Sequence, residues 1–254
     1  MNFTKAESMP SIEATMRTLK LGGMAKEWRN VTYQDNDQYM QELLDIEVRE
    51  REANRMARMV KQAGFRVIKT LDDFIWKPGI GIPASITLEE IEAAAFVEHH
   101  ENLVLMGNCG TGKTHLATAI ALNLCEKGRH VRFYTATGLA NILQEKHQRG
   151  TLNSFMASLR RVELLVLDEI GYITLHKEAS ELLFQIVSEC YEQKSLIITS
   201  NLEFSQWNTV FGNDKLTAAM IDRLVHHSHI LVFSGPGHRL EESMRRQKKG
   251  GEAQ

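Results

Sequence analysis

Cysteine is scarce in this sequence: its 254 residues include three, Cys109, Cys125 and Cys190. The number is odd, and no two of them form a C-x-x-C pair. The cysteines therefore support neither a disulfide framework nor a zinc site built from thiolates. Unpaired thiols are typical of a reducing compartment, so we predict a cytoplasmic protein.

Long hydrophobic runs are missing as well. Nowhere do about eighteen apolar residues follow one another, and residues 1–10 carry Lys5 and Glu7 without an apolar run. We therefore predict no export signal and no membrane span. With 43% hydrophobic and 24% charged residues the composition is that of an ordinary globular protein, which excludes disordered and collagen-like chains.

A large net charge is also absent, but the charges are unevenly placed. The formal net charge of −2 taken alone argues against a nucleic-acid binder. Residues 49–69, however, hold seven basic residues against two glutamates. Apolar spacing predicts a helix over residues 37–61, which places Arg51, Arg55 and Arg58 on one face. Two interpretations stay open: a solvated helix face and a surface that binds a polyanion.

A cluster of helix breakers divides the chain. Residues 76–83 hold two of the four prolines and two close glycines, a combination typical of a linker. The preceding pattern is helical, and we predict a small all-helical domain over residues 1–70 that binds DNA or a partner. We assign residues 71–254 to a second domain that ends in a basic helix and tail.

The second domain alternates short apolar runs with helical patterns. Five runs are typical of buried strands, at residues 103–106, 131–134, 164–167, 196–199 and 230–233. Strands separated by helices predict an α/β fold with a five-stranded parallel sheet covered on both faces. Two helical stretches, 138–149 and 152–161, lie between the second and third strands, where one crossover helix would suffice.

A phosphate-binding loop directly follows the first of these strands. Residues 107–114 match G-x-x-x-x-G-K-[ST] between a strand and an apolar helix, which is the context that this motif requires. Glycines let the backbone N–H groups surround phosphates, and the helix adds its positive end. Lys113 would neutralise the β and γ phosphates, and the Thr114 hydroxyl would ligate Mg²⁺. The motif alone leaves an ATPase, a GTPase and a small-molecule kinase open.

Two acidic residues end the third strand and favour hydrolysis. Asp168 and Glu169 follow the run 164–167, so both carboxylates lie at the carboxyl edge of the sheet, where ligands bind in such folds. Asp168 would hold the magnesium ion, directly or through water. Glu169 would orient and deprotonate the attacking water.

Three further polar residues have two interpretations each. Asn201 follows the fourth strand and either holds the lytic water or caps a local turn. Arg223 lies in a helical stretch before the last strand, and is either an arginine finger for a neighbouring subunit or a surface arginine. Arg239 follows the last strand and either contacts the nucleotide of its own subunit or lies on a solvated helix.

These motifs, in this order and spacing, resemble those of an AAA+ ATPase. More narrowly, the chain resembles the IstB family of insertion-sequence ATP-binding proteins, which are transposition helpers related to DnaC-type helicase loaders. The strings that carry the resemblance are residues 102–107, 110–117, 167–172, 199–202 and 221–224, together with the helical part from residue 19 to residue 74. The resemblance spans nearly the whole chain.

The resemblance implies a function and assigns residues to it. It implies a homo-oligomer that binds ATP and Mg²⁺, assembles on double-stranded DNA and cooperates with an IstA-type transposase. Asn201 corresponds to the first sensor, Arg223 to the finger acting in trans and Arg239 to the second sensor. The nucleotide would contact Gly107, Asn108, Cys109, Gly110, Thr111, Gly112, Lys113, Thr114 and His115. The extra helix before the third strand would turn four cations towards nucleic acid: Lys146, Arg149, Arg160 and Arg161.

Three functions follow from these observations. The first is an ATPase that assembles on double-stranded target DNA and activates the transposase of an insertion sequence. The second is a DnaC-type loader of a replicative helicase that uses ATP as a switch, and a preference for single strands would indicate it. The third, a small-molecule P-loop kinase, leaves Arg223 without a role.

Overall fold

A computed structural model describes residues 11–235 and residue 237. The chain forms two compact units that divide between Arg58 and Met59. The sequence places the division at residue 70 instead. The long helix over Asn36–Ala63 continues through the division without a breaker, so no local signal marks it. The two domains, as functional assignments, stay a prediction.

The first unit is helical, and its interior depends on one carboxylate. It consists of α1 (Ile12–Thr18), α2 (Gly22–Glu27) and the first part of α3 (Asn36–Ala63). The buried Glu47 of α3 accepts hydrogen bonds from the backbone N–H groups of Gly23 (2.8 Å) and Met24 (3.3 Å). These N–H groups open α2 and have no partner within that helix. Glu47 therefore joins α2 to α3.

Arg51 completes this arrangement one turn further along α3. Its Nε donates to Oε1 of Glu47 at 2.7 Å, and its Nη2 donates to the carbonyl of Lys20 at 3.1 Å. Burial opposes ionisation of Glu47, but the Arg51 side chain and the N–H groups of Met24 and Gly23 together lower the pKa of this carboxyl. Glu47 is therefore held as a carboxylate.

The second unit alternates strands and helices. Its strands are β1 (Ile80–Gly81), β2 (Asn102–Gly107), β3 (Val131–Thr135), β4 (Leu164–Ile170), β5 (Ser195–Ser200) and β6 (Ser228–Phe233). Its helices are α4 (Leu88–Ala93), α5 (Lys113–Glu126), α6 (Ala136–Gln148), α7 (Leu152–Leu159), α8 (Lys177–Cys190), α9 (Asn208–Phe211) and α10 (Asp214–His226). The five predicted strands and the two helices between β3 and β4 are confirmed.

Within the described residues the sheet has six strands, so the predicted count of five is wrong. Their order is β1-β6-β2-β5-β4-β3. The strands β2 to β6 are parallel, as predicted, whereas β1 pairs antiparallel to β6 through Ile80 and Phe233. With two residues in a segment rich in proline and glycine, β1 is too short to show the alternation by which strands are recognised.

Hydrophobic side chains cover both faces of the sheet. Val166 packs with Ile120 of α5 on one face, whereas its neighbours Leu165 and Leu167 pack with Leu183 of α8 on the other. All five side chains are buried. Alternate residues of a strand point to opposite faces, so a strand covered on both sides appears in the sequence as an unbroken apolar run.

Two of the three cysteines belong to these cores. Burial raises the pKa of the Cys125 thiol to about 11 and that of Cys190 to about 12, so both are protonated at neutral pH. Cys109 is exposed. Over residues 11–235, the structure contains no helix that is long and apolar enough to cross a membrane.

We predict that Glu47→Ala selectively destabilises the helical unit. Two buried N–H groups lose their acceptor, at a cost of about 1–3 kcal/mol. Amide hydrogen exchange of the full chain should therefore accelerate in α1 and α2, while the second unit serves as an internal reference. Glu42→Ala is the matched control, because Glu42 lies on the same helix and makes only a 3.8 Å exposed pair with Arg49. Equal effects of both changes would contradict the role of Glu47.

The same carboxylate predicts an acid sensitivity. Because folding lowers the pKa of Glu47, its stabilising contribution is present above the ordinary pKa of the carboxyl and is lost as the pH falls through the lowered value. The protection of α1 and α2, measured relative to the intrinsic exchange rate at each pH, should therefore fall in acid in the wild-type chain. Glu47→Gln should show less of this pH dependence, and an unchanged dependence would rule out Glu47 as its source.

Candidate nucleotide site

The loop between β2 and α5 requires glycine at both ends. Gly107 has φ 139°, and a Cβ there would lie 2.1 Å from the carbonyl oxygen of Phe233. Gly112 has φ 105° and precedes the first residue of α5. L-residues rarely adopt these backbone angles, so the glycines are needed for the loop to turn back above the sheet. The N–H groups at the start of α5 thus border an open concave surface.

Lys113 is held against this loop. Its side chain is buried, and Nζ donates to the carbonyl oxygens of Gly107 at 2.6 Å and Asn108 at 2.7 Å. Thr111 closes the turn by donating from Oγ1 to the same Asn108 carbonyl at 2.8 Å. The ammonium group is thereby fixed inside the concave surface, where an anion would neutralise it.

Asp168 connects three elements at the carboxyl edge of the sheet. Its Oδ1 accepts hydrogen bonds from the hydroxyl of Thr114 on α5 at 2.8 Å and from the hydroxyl of Thr199 on β5 at 2.6 Å. Asp168 and Thr199 are both buried. Hydroxyl and carboxylate oxygens are the ligands that Mg²⁺ prefers, so Thr114 and Asp168 fit a magnesium ion.

Glu169 has an unusual backbone for a residue inside a strand. Its φ is 62°, and the pairing of β4 with β5 shifts register between Leu167 and Ile170. The backbone N–H of Glu169 donates to Oγ1 of Thr199 at 2.9 Å. Consecutive strand residues normally face opposite sides, but this bulge lets Asp168 and Glu169 line the same pocket.

Thr199 is a residue that the sequence reasoning missed. One hydroxyl donates to the carboxylate of Asp168 and accepts from the N–H of Glu169, so it holds both acidic residues. The available signal was a hydroxyl residue at the carboxyl end of the strand next to β4. The sequence pattern favours instead Asn201, two residues later, whose Nδ2 donates to the Cys109 sulfur at 3.8 Å. The structure therefore places Asn201 beside the loop.

The pocket above these residues has a volume of about 550 Å³. One of its walls is a stretch between α3 and β1, which we call the wall segment (residues 66–75). The sequence reasoning did not assign it to the site. Its lining residues are Arg66, Val67, Lys69, Asp73, Phe74 and Ile75.

His115 attaches the wall segment to the start of α5. Its Nε2 lies 3.0 Å from the carbonyl oxygen of Thr70, and its ring meets that of Phe74 edge-on with centroids 5.3 Å apart. Phe74 also lies 3.3 Å from the position that a Cβ of Gly112 would occupy. His115 therefore lines the pocket and fixes one of its walls.

Arg223 is not brought to this pocket. It lies half-buried on α10, where its guanidinium is 4.9 Å from the centre of the Phe184 ring and Nη1 donates to the carbonyl of Ala219 at 3.1 Å. It is not among the lining residues. Arg239 lies outside the residues that the structure describes.

The cations predicted to bind DNA differ in their contacts. Arg51 is tied to Glu47 and Lys20, as described above, whereas Arg55 and Arg58 are exposed and make no ion pair within residues 11–235. On α6 the side chain of Lys146 is half-buried, and just after this helix Arg149 pairs with Glu145 at 3.0 Å. Directly after α7, Arg160 and Arg161 are exposed.

A family model agrees with these features. The model described as "IstB-like ATP binding protein" matches residues 14–249. The ATP-binding protein of insertion sequence IS21 from Pseudomonas aeruginosa is 38% identical over 189 residues, which cover 74% of this chain and 70% of that protein. The corresponding protein of insertion sequence IS5376 from Geobacillus stearothermophilus is 31% identical and covers 91% of this chain and 94% of that protein.

Solved structures show the same fold. The crystal structure of the DnaC helicase loader has a TM-score of 0.52 and 23% identity, covering 65% of this chain and 96% of that one. AMPPCP-bound DnaA from Aquifex aeolicus has a TM-score of 0.54 and 23% identity, covering 71% of this chain and 55% of that one. At these identities the likeness concerns the fold, which is that of the AAA+ domain.

We predict that Thr199→Val destabilises the two acidic residues of the site. The change conserves volume but removes the acceptor of the Glu169 N–H and one donor to the buried carboxylate of Asp168, at a cost of about 1–3 kcal/mol. The Glu169 amide should then exchange faster, and the thermal midpoint should fall. Thr199→Ser, which keeps the hydroxyl, should restore most of the protection of this amide. Equal exchange at Glu169 in the valine and serine variants would refute this role of the hydroxyl.

Proposed function

The chain belongs to the family of IstB-like ATP-binding proteins, and from this premise we propose that it is a magnesium-dependent ATPase of an insertion sequence. In this proposal it assembles as a homo-oligomer on double-stranded DNA and activates the transposase of that element. The single observation that carries the ATPase proposal is the contact of Thr114 with Asp168, which lies beside Lys113 and Glu169 in one pocket.

The residues of the phosphate-binding loop and of the adjoining strand ends have distinct tasks in ATP hydrolysis. The loop N–H groups and Lys113 bind the β and γ phosphates, and Thr114 and Asp168 hold the magnesium ion. When bound, that ion neutralises the charge that develops on the transferred phosphoryl group. Glu169 accepts a proton from the attacking water, which Asn201, beside the loop residue Cys109, orients. Thr199 acts through Asp168 and Glu169 as a positioning residue.

Arg223 supports an active site shared between subunits. An arginine finger must reach the phosphates of a nucleotide, yet Arg223 does not line the pocket of its own chain. Stacking on Phe184 and the bond to Ala219 hold its guanidinium on α10. We propose that it completes the pocket of a neighbouring subunit, so that turnover depends on assembly.

DNA binding is proposed for the arginine face of α3. Arg55 and Arg58 are exposed without an acidic partner within the described residues, so their charges are available to phosphates. Arg51 lies on the same face but is engaged in holding the helices together. Contacts to phosphates predict affinity that falls steeply with salt and depends little on base sequence.

We predict that Glu169→Gln and Arg223→Ala each reduce ATP turnover by at least about a hundredfold and leave ATP binding nearly unchanged. When the two variants are mixed, a pocket with an intact Glu169 gains an intact Arg223 from its neighbour. Random assembly of equal amounts restores about a quarter of the shared sites. ATPase activity of the mixture, measured against each variant alone, tests this expectation.

The control is the double variant, which carries both substitutions. It should stay inactive when it is mixed with Glu169→Gln alone or with Arg223→Ala alone, because neither mixture contains both intact residues. Co-assembly is verified by the size of the complexes formed on duplex DNA. If Glu169→Gln and Arg223→Ala subunits assemble together without regaining turnover, Arg223 does not act in trans.

We predict that Arg55→Glu together with Arg58→Glu weakens binding to duplex DNA. The negative slope of log K against log salt should become shallower by about two units, since two phosphate contacts are lost. Arg49→Glu is the matched control, because Arg49 lies on the opposite face of α3. Titration with labelled duplex at several salt concentrations measures both effects. Equal slopes for the double variant and for Arg49→Glu would refute the role of Arg55 and Arg58 in DNA binding. Tighter binding of the wild type to single strands than to duplex would favour a helicase loader.

A further inference from the structure

The nucleotide pocket contains two cations that belong to none of its motifs. Arg66 and Lys69, both on the wall segment, line the pocket together with Lys113. Both side chains are exposed, and neither forms an ion pair within residues 11–235. Arg66 makes one side-chain contact, from Nη2 to Oγ1 of Thr135 at 3.5 Å. Their charges are therefore available to a ligand.

The charge balance of the pocket depends on these two residues. Three carboxylates line it, those of Asp73, Asp168 and Glu169. Among the lining residues that the structure describes, Lys113 alone would leave an excess of two negative charges against these carboxylates, and Arg66 and Lys69 restore neutrality. A magnesium-bound nucleoside triphosphate is itself a net anion, so the wall segment removes a repulsion that the loop lysine by itself does not offset.

The contact of Arg66 locates it within the pocket. Thr135 ends β3 and pairs in register with Asp168 on β4. Asp168 in turn accepts the hydrogen bond from Thr114. Arg66 therefore reaches the side of the pocket that holds Asp168 and Glu169. In the proposed mechanism the terminal phosphate of a bound nucleoside triphosphate would lie there, next to the magnesium ion and the attacking water.

The backbone that carries Arg66 and Lys69 is attached on both sides. Before Arg66, the ring of Phe65 packs at 5.8 Å from that of Phe133, a residue that also lines the pocket. After Lys69, the carbonyl of Thr70 meets His115 of α5. A cation that is presented from a fixed backbone loses less entropy when it binds a phosphate.

We propose that Arg66 contacts the terminal phosphate of the nucleotide within its own subunit, and that Lys69 adds a second positive charge to the same polyphosphate. The inference rests on the proposed ATPase function and adds a binding element outside the loop between β2 and α5. A guanidinium suits this task because its planar donors match the oxygens of a phosphate.

The test compares nucleotides that differ in phosphate number. Dissociation constants of ATP, ADP and AMP are measured with Mg²⁺ by isothermal titration calorimetry on the full chain. Arg66→Ala should weaken ATP by about tenfold, ADP by less and AMP not at all. Lys69→Ala should weaken ATP and ADP by smaller factors, and Arg66→Lys should recover part of the ATP affinity.

Lys61→Ala is the matched control, since Lys61 is an exposed cation of the same unit and does not line the pocket. Its affinities should equal those of the wild type. Unchanged ATP affinity in Arg66→Ala would overturn the inference, and so would an equal loss for ATP, ADP and AMP, because ADP and AMP lack the terminal phosphate that Arg66 is proposed to contact. Failure of the wild-type chain to bind ATP would overturn the proposed function instead, and the inference with it.

Discussion

The architecture of the nucleotide site depends on one carboxylate oxygen. Oδ1 of Asp168 accepts the hydroxyl protons of Thr114 and Thr199, and so joins the first turn of α5 to the ends of β4 and β5. Because Asp168 is buried, these hydrogen bonds lie in surroundings of low polarity, where losing one is costly. The loop, the two acidic residues and Asn201 all take their positions from elements that meet at this atom.

Much of this arrangement could be predicted from the sequence, since strong local signals encode it. Strands buried on both faces appear as unbroken apolar runs, and the loop motif stands in its required context between β2 and α5. The same strings of residues predicted the family membership and the AAA+ fold. The roles of Lys113, Asp168, Glu169, Asn201 and Arg223 in hydrolysis stay predictions, although the structure brings the first four to one end of the sheet.

What the sequence did not reveal depends on tertiary contacts. β1 has two residues and exists because β6 offers it a partner. Thr199 carries no motif, and its importance comes from its hydrogen bonds with Asp168 and Glu169 on the neighbouring strand. The wall segment has no periodicity of its own, and it borders the pocket because His115 and Phe133 hold it there. No local pattern of residues encodes contacts between positions so far apart in the chain.

Glu169 shows how folding and chemistry differ in their demands on one position. Of the non-glycine residues with positive φ in the described chain, Lys20, Ala94, His100 and Glu192 stand at helix ends or in turns, whereas Glu169 stands inside a strand. A glycine would satisfy the backbone there without strain, so stability alone would select against glutamate. In the proposed hydrolysis the carboxylate of Glu169 accepts a proton, so at this position the proposed chemistry and the stability of the backbone make opposite demands.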